Sequence, residues 1–97
     1  MLNAQEAHTI AINATHTKME KGKEKARNSI PTIETGIIHA AKEGEEYIVI
    51  HPLRMVSTDS MEEQSGYLSE LIKILTQAQY QVEYHVSTKD MRIAWAQ

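Results

Sequence analysis

Cysteine is absent from the 97 residues, which removes disulfides, thiolate nucleophiles and cysteine-based zinc sites together. Phenylalanine is absent too. One Trp and four Tyr are the whole aromatic complement, so Ile, Leu, Val, Met and Ala must supply most of the core. No apolar run approaches the roughly 18–20 residues of a membrane helix, and the start MLNAQEAHTI lacks the basic and apolar regions of a signal peptide. The expected address is cytoplasmic, without membrane association. Positive charge is scarce as well: the formal net charge is −3, so there is no bulk attraction to nucleic acid or anionic lipid. Basic and aromatic residues do not interleave, and a nucleic-acid polymer is not an expected partner.

Catalytic motifs are missing in the same way. The chain has no Gly-x-Ser-x-Gly elbow, no phosphate-cradling glycine loop and no dinucleotide fingerprint. Asp59 and Asp90, the only aspartates, sit at turn or cap positions that account for them. His8 and His16 stand eight residues apart, roughly 12 Å along a helix and too far to share an ion. No His-x-x-x-His pair occurs. The residues therefore predict no catalytic group, no metal and no cofactor.

What is present reads as a small α+β domain. Glu45 to Arg54, EEYIVIHPLR, contains three consecutive β-branched residues between Gly44 and Pro52, the pattern of an interior strand buried on both faces. Before it, Asn3 to about Arg27 reads as a helix, with Asn3 and Glu6 at capping-box spacing and a stripe of Ala4, Ala7, Ile10, Ala11 and Ala14. The run KMEKGKEKAR at 18–27 reads as a solvated helix face, because Glu20 and Glu24 interleave with its lysines. Pro31 predicts a break near residues 28–30 and a second helix to Glu43, with Ile33, Ile37 and Ala41 on its apolar face, Gly36 free for close approach of another backbone, and Gly44 as its left-handed cap. A further helix is expected from Ser60 to about Ala78, with Leu68, Leu71, Ile72 and Leu75 as its core face and Gly66 weakening its first turns. The period then switches to two over residues 80–86 and again over 91–95, a terminal hairpin.

The expected order is ααβαββ: a three-stranded mixed sheet with helices on one face, strands 47–51 and 80–86 running parallel. Residues 1–29 form an N-terminal helix for oligomerisation and residues 30–97 the α/β core. The thin core and a helix with little apolar surface of its own predict self-association through Ala7, Ile10 and Ala14.

The succession IETGIIHAAKEGEEYIVI, LSELIKILTQAQYQVEYHV and MRIAW, over residues about 30–95, resembles small bacteriophage-encoded accessory proteins. In these, a helix ending in A-x-x-G leads into a strand, and a helix ending before G-Y-x-V leads into a hairpin closing on Trp. Gln79 stands where glycine is usual. The resemblance implies a virion part, an inhibitor of a host protein or a counter-defence protein that captures a signalling molecule, working in the host cytoplasm. It transfers no site residues.

One constellation points to a ligand. His51 and Arg54 follow the central strand, and Ser57, Thr58 and Ser60 precede a helix N-terminus, where backbone N–H groups favour anions. Parallel strands would bring His85, Thr88 and Lys89 to the same end. The competing reading is an ordinary polar sheet edge. Two functions follow: a homo-oligomeric binding protein for a small, anionic, nucleotide-like ligand, or a structural or inhibitory protein that contacts others, such as a host protein, through its N-terminal helix.

Overall fold

A 39-residue helix, α1 (Ala4–Lys42), dominates a computed structural model that describes residues 1–95. Asn3 caps it by accepting from the Glu6 amide at 2.8 Å. Pro31 lies within it and does not break it, so the two expected N-terminal helices are one rod and the boundary expected at residue 29 falls inside an element. A proline removes one helical hydrogen bond. Pro31 is on the exposed side, where water can serve the carbonyl it leaves, while Ala26, Ser29, Ile33 and Ile37 are buried on either side of it. Packing along both flanks outweighs the local defect.

After Gly44, which takes the left-handed φ of +86° expected of it, come β1 (Tyr47–Ile50), a single turn α2 (Pro52–Met55) and α3 (Met61–Gln77). The hairpin β2 (Gln81–His85) and β3 (Asp90–Ala94) ends the described chain. Gln79 adopts a left-handed φ of 72°, so it closes α3 with the geometry glycine would give.

The class is α+β and the helices cover one sheet face, as the periodicities indicate. The sheet order is β1-β3-β2, with both pairings antiparallel. The expected mixed sheet is therefore antiparallel throughout: β1 and β2 do run the same way, but β3 lies between them. That placement reverses the expected roles of the strands. β1 is an edge strand with Tyr47 and Val49 exposed, and the buried central strand is β3, with Met91, Ile93 and Ala94 buried. Ile48, Ile93 and Val82 form one row on the helix-covered face, and Ile50, Met91 and Tyr84 the next. Val49, Arg92 and Glu83 share a row on the open face, where the Arg92 guanidinium stacks 4.5 Å from the Tyr47 ring centre.

The charged run 18–27 is solvated on one side, as expected, but its other side packs on α3, with Gly22 and Ala26 buried. Lys21 pairs with Asp59 at 3.3 Å, Lys25 with Glu63, and Arg27 with Glu70 at 3.0 Å. Glu63 and Glu70 are buried on α3, so these pairs fasten the two helices. Gly22 and Gly66 lie at their closest approach. Gly22 packs on the Glu63 carbonyl, and Gly66 on the Met19 backbone. Gly66 therefore does not delay α3, which begins at Met61. Gly36, by contrast, has nothing within 4 Å of where a Cβ would be, so the close approach expected there does not occur.

Candidate functional site

Beyond the end of β1 the chain turns through α2 into residues 57–60, and this loop is held at several points. Lys25 Nζ donates to the Ser57 carbonyl at 2.6 Å. The Asp59 amide donates to Glu63 Oε2 at 2.9 Å, and Ser60 Oγ accepts from the Glu63 amide at 3.1 Å as the cap of α3. The Lys25 ammonium is the partner of Glu63 Oε1. Hydrogen bonding from Lys25 and from the Asp59 amide holds the Glu63 carboxyl below its ordinary value, against the opposing effect of burial. One buried carboxylate thus ties α1, the loop and α3 together.

The facing wall comes from the β2–β3 turn. Thr88 Oγ1 donates to Asp90 Oδ2 at 2.8 Å, and His85 Nδ1 lies 2.8 Å from Asp90 Oδ1. The Thr88 hydroxyl, then His85, keep the Asp90 carboxyl below its ordinary value, and His51 adds a weaker attraction. Lys89 takes a left-handed φ of 58° at this turn, its amide donating to the His85 carbonyl at 2.7 Å.

Between these walls lies a groove of about 720 Å³ lined by Arg54, Ser57, Thr58, Gln64 and Lys89, with Leu53, Met55 and Val56. Four of the eight residues expected at the site, Arg54, Ser57, Thr58 and Lys89, therefore meet in it. They meet because β1 and β2 run the same way and deliver their following loops to one end of the sheet. Ser60, His85 and Thr88 do not line the groove; they cap α3 and lock the hairpin turn instead. His51 is exposed beside Asp90 and also lies outside it. Gln64 is the polar lining residue that the sequence reading misses, although its place one turn beyond the Ser60 cap could have indicated it.

Electrostatically the groove is one-sided. Neither Arg54 nor Lys89 forms an ion pair among the described residues, whereas Lys21, Lys23, Lys25, Arg27 and Lys73 all have carboxylate partners. No acidic residue lines it. Among the described residues there is also no group of three or more His, Asp or Glu placed to hold a metal ion, and no helix long and apolar enough to cross a membrane.

The depressed carboxyls of Glu63 and Asp90 make stability depend on pH with a definite sign. Each binds its proton less readily folded than unfolded, so stability rises with pH between the two values. The contribution is fully present above the ordinary carboxylate range, about pH 5, and is lost as pH falls through the lowered folded values. The urea midpoint is expected to fall between pH 6 and pH 3.5, with a shallower fall in Glu63→Gln measured against its own pH 6 value. Equal falls in the two proteins would show that Glu63 does not carry the effect. Compared with known proteins, the chain matches no family model, no curated protein and no solved structure.

Proposed function

We propose that this protein is a non-catalytic binding protein that holds a small anionic ligand of nucleotide-like chemistry in the groove between residues 53–58 and Lys89. The observation that carries the reading is the convergence of two unpaired cations, two hydroxyl side chains and an amide on one groove with no acidic residue in its lining. Arg54 supplies a planar fork for a phosphate or carboxylate, Lys89 a point charge, and Ser57, Thr58 and Gln64 orienting hydrogen bonds. Sequestration of a signal by such a groove suits the counter-defence role that the resemblance to bacteriophage accessory proteins implies. A second reading, action through contacts with other proteins, draws on the N-terminal part of α1, where every residue from Ala4 to Lys18 is exposed.

Calorimetric titration with inorganic phosphate, nucleoside mono-, di- and triphosphates and cyclic dinucleotides tests the groove. At least one of these anions is expected to bind. Arg54→Ala and Lys89→Ala should each weaken that binding about tenfold or more, the value of a charged hydrogen bond of roughly 1.5–3 kcal/mol. Arg54→Lys should recover part of the loss. Binding that survives the double substitution would place the ligand elsewhere, and silence across the whole panel would favour the second reading.

A further inference from the structure

The molecule exposes far more surface than its mass requires. A compact monomer of 11.0 kDa exposes roughly 5,600 Å², yet this chain exposes 6779 Å², an excess of about 1,200 Å². Its radius of gyration is 16.5 Å against about 12.5 Å for a compact chain of this length. The source is the first four turns of α1, Ala4 to Lys18, which project beyond the start of α3. An isolated helix of that length is marginal in water, and Thr9, Ile10, Ile12, Asn13, Thr15 and Thr17 are weak helix formers. This arm therefore needs a packing partner.

We infer that the partner is the arm of a second copy, packed antiparallel about a two-fold axis between Ala11 and Ile12. At about 100° per residue, the face of α1 that meets α3 at Gly22 and Ala26 continues up the arm as Ala4, His8, Ala11, Ile12, Thr15 and Met19. These residues carry no fixed charge, and five of them together with His16 line a shallow depression of about 360 Å³. Lys18, Ala7 and Ala14 border the stripe on one side. Antiparallel pairing sets Ala4 against the other copy's Met19, His8 against its Thr15 and Ala11 against its Ile12, small against large along the whole stripe.

Sterics select this direction. A parallel neighbour on the stripe would run into α3, which occupies the same face of α1 from Met19 onward. An antiparallel neighbour ends where α3 begins, bringing the exposed Met1 and Leu2 of one copy to the exposed Met61 of the other. The excess of about 1,200 Å² exceeds the roughly 800 Å² that a stable interface takes from each partner, so burying about two thirds of it would suffice. The interface closes on itself with two copies, as two-fold contacts do.

The absence of cysteine from the natural chain gives a direct test. Wild-type protein is expected to sediment as a dimer at about 50 μM, well above the dissociation constants of stable interfaces. Ala11→Glu, which puts two carboxylates at the dyad, should raise the dissociation constant at least tenfold with an unchanged near-ultraviolet spectrum. When an Ala4→Cys chain is mixed with a Met19→Cys chain and oxidised, the cross-link should join one chain of each kind. A monomeric wild type, an undiminished dimer in Ala11→Glu, or cross-links joining two chains of the same kind would each overturn the proposal. None of these readouts depends on the groove having a ligand.

Discussion

Gly22→Ala is expected to lower the melting temperature by roughly 12 °C or more, corresponding to about 3 kcal/mol. The new methyl would be driven into the Glu63 carbonyl oxygen and would stand 2.8 Å from the Tyr67 amide nitrogen. Both obstacles are backbone, so no rotamer change relieves them, and the two helices must separate. Overpacking of this kind usually costs about 1–3 kcal/mol and more where the surroundings are rigid, a large share of the roughly 5–15 kcal/mol that holds a domain of this size together. Separation would also stretch the Lys25–Glu63 and Arg27–Glu70 pairs that flank the contact. Gly66→Ala should act alike, because its methyl would meet the Met19 carbonyl and lie 3.0 Å from Met19 Cα. Gly36→Ala is the control. With nothing within 4 Å of it, this substitution should show only the helix-propensity gain, a stabilisation of about 1 kcal/mol. Thermal unfolding of the three variants followed by circular dichroism decides the matter. Similar melting temperatures for Gly22→Ala and Gly36→Ala would mean that α1 and α3 do not approach as described.

Ile93→Ala is expected to destabilise the protein by about 2–5 kcal/mol, the range for removing buried branched side chains, while Val49→Ala should cost less than about 1 kcal/mol. The contrast follows from position rather than residue type. Ile93 is fully buried at the centre of the sheet, flanked by Ile48 and Val82, whereas Val49 is 50% exposed on the open face of an edge strand. Urea unfolding gives both values. Equal losses, or a greater loss at Val49, would return the central position to β1.

That contrast also marks where sequence reading reaches its limit. Tyr47 to Ile50 and Met91 to Trp95 are both strand-like, and the first is the more apolar. Apolarity ranks strands by how well they tolerate burial, but the order in a sheet depends on which hydrogen-bonding edge is filled. The β2–β3 hairpin pairs strands that are adjacent in sequence, which leaves the other edge of β3 for β1. The groove shows the same division. The types Arg54, Ser57, Thr58 and Lys89 and their positions after strands could be read directly, because polar loops after parallel-running strands arrive at one end. That Ser60 is engaged as the cap of α3 follows from its spacing to Glu63, whereas the engagement of His85 and Thr88 with Asp90 depends on the turn conformation that the folded hairpin gives residues 85–90.

The sequence by itself determined the local features: the Asn3 and Ser60 caps, the left-handed turn at Gly44, the burial of Ile33 and Ile37 on α1 and of Leu71 and Leu75 on α3, the alternation of the hairpin and hence the α+β class. These are set by interactions among residues at most a few positions apart, which periodicity records. Only the tertiary structure decided that α1 runs unbroken through Pro31, that its basic run pairs with buried glutamates, that Gly22 and Gly66 mark a helix contact, and that β3 is central. Each of these rests on contacts between residues about 40 positions apart, such as Gly22 with Glu63 and Ile48 with Ile93. The free energy of such contacts overrides helix propensity at a proline and solvation at a lysine, and no local pattern encodes it.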